Sequence, residues 1–255
     1  MKDLTTVTSH DLQEGFRNLG LYLGDVLFFH SSLKSFGWIN GGADTIIDNA
    51  LSVLGPSGTI SVPTFVQKVN GKSATYRQRK KAWDIESSPS DVGHITEVFR
   101  KRKEAVRSDH CCDSLAAIGD EAAIVMNAHA TAHSRPSPWD ERAFGHNSPW
   151  DWLVKRNALY LLMGVDFTVC SIFHYVQALW VEARLDDMGD EPVWPAYNFS
   201  DMGQLVKEEG LVKEVWVGHS HWQAFRVDPI LKLVGDILNQ RPGMIERKPL
   251  RFYGE

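Results

Sequence analysis

The sequence is poor in several features that would assign it to a specialised class of protein. It has 3 cysteines in 255 residues, at Cys111, Cys112 and Cys170, and an odd, sparse count with one adjacent pair is not a disulfide framework. Lys and Arg total 27 against 32 Asp and Glu, so the chain lacks the basic excess of proteins that bind nucleic-acid phosphates. It also lacks a run of roughly 20 apolar residues, which a membrane span needs. Secreted, nucleic-acid-binding and membrane classes are therefore disfavoured.

The remaining composition is that of a globular protein. Hydrophobic residues make up 43% of the chain and charged residues 23%, which argues against disorder. The first residues, MKDLTTVTSHDLQEGF, have no apolar core of a signal peptide, so we expect a cytoplasmic protein. The net charge of −5 is compatible with a cationic small-molecule partner.

Hydrophobic periodicity predicts an α/β architecture. Residues 25–29 and 59–62 have the character of buried strands, and a helical stripe over residues 43–54 lies between them, so this segment predicts a βαβ unit. Residues 157–165 give the strongest buried-strand pattern, and residues 91–103, 120–129 and 228–239 predict helices. Residues 67–90 are polar and aperiodic, so we expect a long loop there.

Polar side chains stand at the ends of the predicted strands, in three groups. These groups are His30-Ser31-Ser32, His110 with Ser114, and Asp166 with His174. In open α/β sheets this edge binds ligands. A histidine with an upstream carboxylate is typical of a general base and the group that orients it, so His174 and Asp166 are candidates for these roles.

Other interpretations of the same residues stay open. The His30-Ser31-Ser32 loop runs towards Gly41-Gly42 and a helix N-terminus, which could cradle a pyrophosphate or simply form a capped turn. The run His110-Cys111-Cys112-Asp113 contains ligating residue types, but adjacent side chains diverge, and metal ligands are usually spaced further apart. A metallohydrolase using His110, His219 and His221 is the alternative from a different class. Cys170 lies in an apolar context, which suits an inert thiol.

Five segments of the sequence resemble the aminoglycoside 3-N-acetyltransferases, an antibiotic acetyltransferase family distinct from the GNAT fold. They occur in the order and at the spacing of that family and together cover nearly the whole chain. The segments are HSSLKSFGWINGGADTIIDNALSVLGPSGTISVPTF (30–65), SPSDVGHITEVFRKRKEAVRSDHCCDSLAAIGDEA (88–122), GHNSPWDWL (145–153), LYLLMGVDFTVCSIFH (159–174) and VGHSHWQAF (217–225).

The resemblance implies a fold, a donor and a set of site residues. It implies one antibiotic acetyltransferase-like domain over residues 1–255, with a three-layer α/β/α fold, a mixed central sheet and a smaller excursion at about 185–217. It implies acetyl-CoA as co-substrate, an amine acceptor such as an aminoglycoside, no metal, and a monomer or homodimer. The catalytic histidine corresponds to His174, and the family's Arg-Ser-x-His signature to Arg107, Ser108 and His110. His110 is therefore a further candidate for a catalytic residue. The coenzyme A-binding residues it implies are His30, Ser31, Ser32, Lys34, Ser35, Phe36, Ser108 and Ser114.

Three positions depart from the family pattern. Cys111 replaces the proline after the signature histidine, Thr168 replaces an aspartate and Gln177 replaces a glutamate. Because such carboxylates bind a polycationic drug or orient the base, their loss bears on acceptor choice more than on acyl transfer. Acyl transfer itself is still expected. We expect direct acetyl transfer, with His174 as general base and with Asp166 fixing the tautomer of its imidazole. An amine metabolite other than an aminoglycoside is the alternative acceptor.

Overall fold

The computed structural model describes residues 6–251, which form strands and helices in alternation. The strands are β1 (Thr6–Val7), β2 (Val26–Ser31), β3 (Trp38–Ile39), β4 (Thr59–Pro63), β5 (Lys68–Val69), β6 (Lys72–Ser73), β7 (Val106–Arg107), β8 (Leu115–Gly119), β9 (Leu159–Met163), β10 (Val193–Ala196), β11 (Lys213–Val217), β12 (Ser220–Arg226) and β13 (Glu246–Pro249). The helices are α1 (Ser9–Asn18), α2 (Gly42–Leu54), α3 (Tyr76–Ala82), α4 (His94–Arg100), α5 (Ala122–Thr131), α6 (Pro149–Lys155), α7 (Ile172–Glu182), α8 (Leu185–Met188), α9 (Phe199–Glu208) and α10 (Val227–Gln240). None of the helices within residues 6–251 combines the length and apolar character that crossing a membrane requires.

A seven-stranded mixed sheet in the order β11-β12-β9-β2-β4-β8-β7 forms the centre of the fold. Strand β2 is parallel to both of its neighbours, β4 and β9, whereas the outer pairs are antiparallel. Leu27 and Phe29 of β2 face one side of the sheet and Val26 and Phe28 the other, and all four are buried. A continuous apolar strand of this kind is typical of a sheet that is covered on both faces.

Helices cover both faces of this sheet. One apolar core joins the sheet to α1, α2 and α4, and the other joins it to α5, α6, α7, α9 and α10. The expected three-layer α/β/α fold with a mixed central sheet is thereby confirmed.

Two segments differ in detail from the sequence-based expectations. The expected loop at 67–90 contains the short β5–β6 hairpin and the helix α3, which begins with a capping box between Thr75 and Gln78. The stretch expected as an excursion at 185–217 is divided. Its β10 pairs with β13 in a separate two-stranded sheet, whereas β11 is the edge strand of the main sheet. Val215 and Val217 give β11 one side that packs against the sheet core, and the polar composition of the segment conceals this pattern.

The chain order places three polar loops along one edge of the sheet. The parallel strands β2 and β9 are paired with His30 beside Leu162 and Ser31 beside Met163, so both strands end together. Strand β4 ends beside the start of β8, with Pro63 paired to Leu115. The loops after β2 and β9 and the loop before β8 therefore meet at the same edge, where α/β sheets bind ligands.

Candidate active site

A cavity of about 470 Å³ opens at this edge of the sheet. It brings together the end of β2, the loop before β8, and the segment that runs from β9 into α7. The side chains that line it are those of His30, Ser31, Phe65, Gln67, Arg79, Asp91, Val92, Cys112, Asp113, Trp139, Val165, Thr168, Val169, Ser171, His174 and Phe199. Its volume falls in the range of pockets for small-molecule ligands.

His174 is held in the first turn of α7 by a hydrogen bond within that helix. Its Nδ1 lies 2.7 Å from Oε1 of Gln177, while Nε2 of Gln177 donates to the carbonyl oxygen of Pro195 at 2.6 Å. Because the carbonyl of Pro195 can only accept, the amide of Gln177 has one allowed orientation, and its Oε1 accepts from the imidazole. The proton of neutral His174 is therefore on Nδ1, and Nε2 is the basic nitrogen.

The surroundings of His174 keep its imidazole neutral. Its ring packs against Trp139, with centroids 4.5 Å apart, and against Phe199 at 4.8 Å. Burial lowers the pKa of His174 to about 4, and the hydrogen bond to Gln177 acts in the opposite direction. The position in the first turn of α7 works in the same direction as burial, because a helix N-terminus disfavours positive charge. At neutral pH this imidazole can accept a proton.

A second neutral histidine anchors the floor of the cavity. Nε2 of His30 lies 2.8 Å from the hydroxyl of Tyr160, which also accepts a hydrogen bond from the backbone N–H of Ile172 at 3.3 Å. Burial lowers the pKa of His30 to about 3. Through Tyr160, strands β2 and β9 are joined to the start of α7, so this group fixes the position of the helix that carries His174.

Charged side chains line the wall that faces α7. Asp113 is 7% exposed, and its Oδ2 has no hydrogen-bond partner among residues 6–251. Burial raises the pKa of Asp113 to about 7, with the Arg79 guanidinium acting in the opposite direction. Asp91 accepts hydrogen bonds from the backbone N–H groups of Gln67 and Lys68. A positively charged group entering the cavity would therefore meet a buried carboxyl whose Oδ2 accepts no hydrogen bond from the described residues and lies 3.7 Å from Nδ1 of His110.

Asp166 does not have the position that the sequence predicts. Its side chain is exposed and accepts hydrogen bonds from the backbone N–H and the hydroxyl of Thr168, so it caps a short 3₁₀ turn. The partner of the imidazole is Gln177. The expectation that Asp166 orients His174 is thus corrected, because capping of the local turn uses the carboxylate.

His110 lies behind the cavity wall rather than in it. Its Nδ1 accepts the backbone N–H groups of Cys112 at 3.2 Å and Asp113 at 2.9 Å, and its ring stacks on His129 at 4.9 Å. Burial is the main cause of the lowered pKa of His110. In this position the imidazole shapes the loop that carries Cys112 and Asp113. The catalytic role expected for His110 stays a prediction.

The residues expected to bind coenzyme A are divided between the cavity and the protein interior. His30 and Ser31 line the cavity, and Ser32 and Lys34 lie on the accessible side of the same loop. Four others have internal partners. The hydroxyl of Ser35 donates to the backbone oxygen of Ser32 and contacts the hydroxyl of Ser220, and the ring of Phe36 packs on Trp222. The hydroxyl of Ser108 accepts a hydrogen bond from the backbone N–H of Leu115 and contacts Nδ1 of His129. The hydroxyl of Ser114 donates to the backbone oxygen of Thr64. Phe36, Ser108 and Ser114 are completely buried. The expectation that these three side chains contact coenzyme A is therefore corrected.

The three histidines of the metallohydrolase alternative do not meet. His221 lies on β12, with Glu214 3.7 Å away and Trp216 stacked on its ring, and His219 lies in the turn before it. His110 precedes β8, which the strands β9, β2 and β4 separate from β12. At about 4.8 Å per strand this separation is about 19 Å, too far for one ion. Among residues 6–251, no group of three His, Cys, Asp or Glu side chains could hold a metal ion.

Several cavity residues are absent from the sequence-based set. Tyr160, which does not line the cavity but contacts the cavity residue His30, is also missing from that set, because the two residues are 130 positions apart. Arg79, Trp139 and Phe199 come from segments that the sequence describes as loops or irregular chain. Asp113 is visible in the sequence as part of the His-Cys-Cys-Asp run, but its burial depends on the fold.

A three-layer α/β fold with a neutral imidazole at the ligand-binding edge of its sheet defines a class of protein that can perform base-assisted chemistry. Comparison with known proteins gives the family. The sequence model of the family described as aminoglycoside 3-N-acetyltransferase matches residues 28–239, and the chain belongs to this family. The resemblance noted from the sequence is thereby confirmed, and with it membership of an acyltransferase family.

Individual relatives agree with this assignment. The SPbeta prophage-derived aminoglycoside N(3')-acetyltransferase-like protein YokD of Bacillus subtilis (strain 168) is 28% identical over 246 residues, which cover 86% of this chain and 87% of that protein. The crystal structure of aminoglycoside acetyltransferase AAC(3)-Xa has a TM-score of 0.74 and 23% identity, covering 92% of this chain and 93% of that one. AAC-IIIb, solved as a binary complex with CoASH, has a TM-score of 0.72 and 17% identity, covering 93% of this chain and 98% of that one. Both solved structures share the fold of this chain.

Proposed function

We propose that this protein transfers the acetyl group of acetyl-CoA to an amine of an aminoglycoside, with His174 as general base. Family membership supports the reaction class, and the coenzyme A complex of the similarly folded AAC-IIIb supports the donor. The observation that carries the proposal is the hydrogen bond from Nδ1 of His174 to Gln177, because it leaves the basic Nε2 on a ring that lines the cavity. We expect the reaction in the cytoplasm, because none of the three cysteines forms a structural disulfide.

The reaction proceeds by direct transfer in this proposal. Nε2 of His174 takes a proton from the acceptor amine as the amine nitrogen attacks the thioester carbonyl carbon. The tetrahedral intermediate collapses with cleavage of the carbon–sulfur bond, and the imidazolium returns its proton to the departing coenzyme A thiolate. Base catalysis of this kind contributes about 10²–10⁴-fold to the rate.

Ser31 is the candidate donor to the oxyanion. Its side chain lines the cavity at the end of β2, and its hydroxyl has no hydrogen-bond partner among residues 6–251. The hydroxyl oxygen is buried as well as unpartnered, so the Ser31 side chain would turn towards the cavity to donate to a developing negative charge. Ser31 and His174 thus supply the two groups that the transition state needs.

Cationic recognition in this proposal comes from the wall opposite α7. Thr168 and Gln177 stand where the family has carboxylates, whereas Asp91 and Asp113 line the cavity. Asp113 is protonated in part at neutral pH, because burial raises its pKa to about 7. An acceptor ammonium beside it would favour the ionised carboxylate and form a charge-assisted hydrogen bond.

A direct test is incubation of the purified protein with acetyl-CoA and a panel of acceptors. We expect gentamicin and related aminoglycosides to gain one acetyl group by mass spectrometry, with the 3-amino position identified by NMR. Acetylation of simple amine metabolites alone would support the alternative acceptor class, which the loss of two family carboxylates favours. Absence of acetyl transfer to every amine would contradict the proposal.

A further inference from the structure

Cys111 and Cys112 bring their sulfur atoms together on the wall of the cavity. The two Sγ atoms lie 3.8 Å apart. Successive side chains point to opposite faces of a strand and do not face each other on a helix, so the sequence predicts divergence. The structure instead places both residues in a turn, and the expected divergence is corrected for this pair.

The imidazole of His110 shapes this turn. Its Nδ1 accepts the backbone N–H groups of Cys112 and Asp113, so two successive residues donate to one acceptor. His110 itself is held by stacking on His129, with ring centroids 4.9 Å apart. The close approach of the two sulfur atoms is therefore a property of an anchored turn.

The cavity gives small molecules a route to this pair. Cys112 lines the cavity, and Cys111 is its immediate neighbour. Both are almost fully buried otherwise, at 3% and 6% exposed. Cys170 is completely buried and is not part of the cavity lining. A reagent that enters the cavity thus reaches Cys112 first and leaves Cys170 untouched.

The two thiols also affect each other's acidity. The pKa of Cys111 is lowered, chiefly because the thiol of Cys112 forms a hydrogen bond with its sulfur, and the Arg79 guanidinium acts in the same direction. Burial and the neighbouring Asp113 oppose this effect. The same hydrogen bond and burial raise the pKa of Cys112. The deprotonated sulfur is the nucleophile in thiol–disulfide exchange, so Cys111 is the better prepared nucleophile of the two.

We propose that Cys111 and Cys112 form a reversible dithiol–disulfide site, which a low-molecular-weight disulfide entering the cavity oxidises. One deprotonated cysteine attacks a sulfur of the incoming disulfide, forms a mixed disulfide and releases one small thiolate. The other cysteine then attacks the mixed disulfide, forms the Cys111–Cys112 bond and releases the second thiolate. The two cysteine protons pass to the two small thiolates, and the incoming disulfide gains the two electrons that the cysteines lose.

A bond between adjacent cysteines is easily reversed. Adjacent Cα atoms are about 3.8 Å apart, closer than in an ordinary disulfide. Such strain makes the bond easier to reduce, which is typical of regulatory disulfides. Closure also moves the wall that carries Cys112 and Asp113, so oxidation lowers the rate of acetyl transfer. This last consequence rests on the proposed function, whereas the redox site does not.

The stoichiometry of the reaction with 2,2'-dithiodipyridine tests the site in the native wild-type protein. We expect release of two thiopyridone molecules per chain and an intact mass lower by two hydrogen atoms, with no pyridyl adduct. Dithiothreitol restores the original mass. A stable pyridyl adduct, no reaction under native conditions, or a reaction at Cys170 in peptide mapping would overturn the proposal.

Three matched variants complete the test. Cys111→Ser releases one thiopyridone and keeps one pyridyl adduct on Cys112, because the resolving thiol is absent. Cys112→Ser reacts more slowly and cannot form an internal disulfide. Cys170→Ser behaves as wild type. Acetyl transfer by the oxidised wild-type protein, measured as acetylated gentamicin, falls and recovers with dithiothreitol; an unchanged rate in the closed form would overturn the inhibitory effect alone.

Discussion

Nδ1 of His174 lies 2.7 Å from Oε1 of Gln177, three residues further along α7. The carbonyl of Pro195 in β10 fixes the amide of Gln177 from the other side. A neutral amide thus selects the tautomer of His174 in this chain. It does so without stabilising the imidazolium as strongly as a negative charge would, which is consistent with the lowered pKa of His174.

Removal of this amide is expected to slow catalysis. In Gln177→Met the imidazole loses its tautomer restraint, and kcat falls about fivefold, since such a hydrogen bond contributes about 1 kcal/mol. Steady-state kinetics give kcat, and ¹⁵N chemical shifts of the imidazole report the tautomer. Asp166→Asn is the matched control and keeps kcat, because Asp166 caps the 3₁₀ turn at Thr168. Equal losses in both variants would contradict the assigned roles.

Restoration of the family carboxylate is expected to shift the pH profile. In Gln177→Glu the negative charge stabilises imidazolium, so the pKa of His174 rises from about 4. The acidic limb of kcat, which does not contain the effect of Asp113 on KM, therefore moves to higher pH. The variant is also less stable, because a carboxylate oxygen faces the carbonyl of Pro195. An acidic limb at the wild-type position would show that His174 is not the titrating group.

Acid is expected to destabilise the fold through its buried histidines. Burial lowers the pKa of His30 to about 3, and of His129 and His174 to about 4, from an ordinary value of 6.5. Between about pH 4 and 6.5 the unfolded chain binds more protons than the folded one at these sites, so the free energy of unfolding rises with pH. Urea denaturation at several pH values measures this slope. His129→Gln should reduce the slope, and an unchanged slope would contradict the contribution of that residue.

Asp113 is expected to control the affinity for the cationic acceptor. Asp113→Asn removes a buried charge that pairs with an ammonium group, and a charge-assisted hydrogen bond contributes about 1.5–3 kcal/mol, so KM for gentamicin rises by about tenfold or more. Because the pKa of Asp113 is raised to about 7, KM of the wild type should fall as pH rises through that value. The variant should lack this dependence.

The control for this experiment is an exposed carboxylate outside the cavity. Asp190→Asn makes the same change in net charge at an exposed position, so it should leave KM for gentamicin unchanged. If both variants raise KM equally, the effect belongs to the overall charge of the protein rather than to Asp113.

The sequence predicts the layers of the fold well, because each layer leaves a periodic pattern. The continuous apolar run of β2, which includes Phe28 and Phe29, and the apolar stripe of α2 are both local patterns in the sequence. The structure contains both elements. Strand β11 is less visible, since four of its five residues are polar or partly exposed and its pairing with β12 depends on a turn at Gly218.

The site is predictable only where a residue is identified by its position at a strand end. His30 lies at the end of β2, and His174 lies in the first helical turn after β9. The structure brings both residues to one cavity. The partner of His174 cannot be predicted in this way. The sequence offers both Asp166 and Gln177, and only the structure shows that Asp166 caps the short turn at Thr168 and leaves Gln177 to contact the imidazole. The approach of Cys111 to Cys112 likewise depends on the buried ring of His110.

The most direct test of the central claim is the rate of acetyl transfer by His174→Asn with acetyl-CoA and gentamicin, measured beside its affinity for coenzyme A. We expect kcat to fall by about 10²–10⁴-fold, because the variant has no general base. The affinity for coenzyme A, measured by calorimetry, should stay at the wild-type value. A variant that transfers acetyl groups at the wild-type rate would contradict the role of His174.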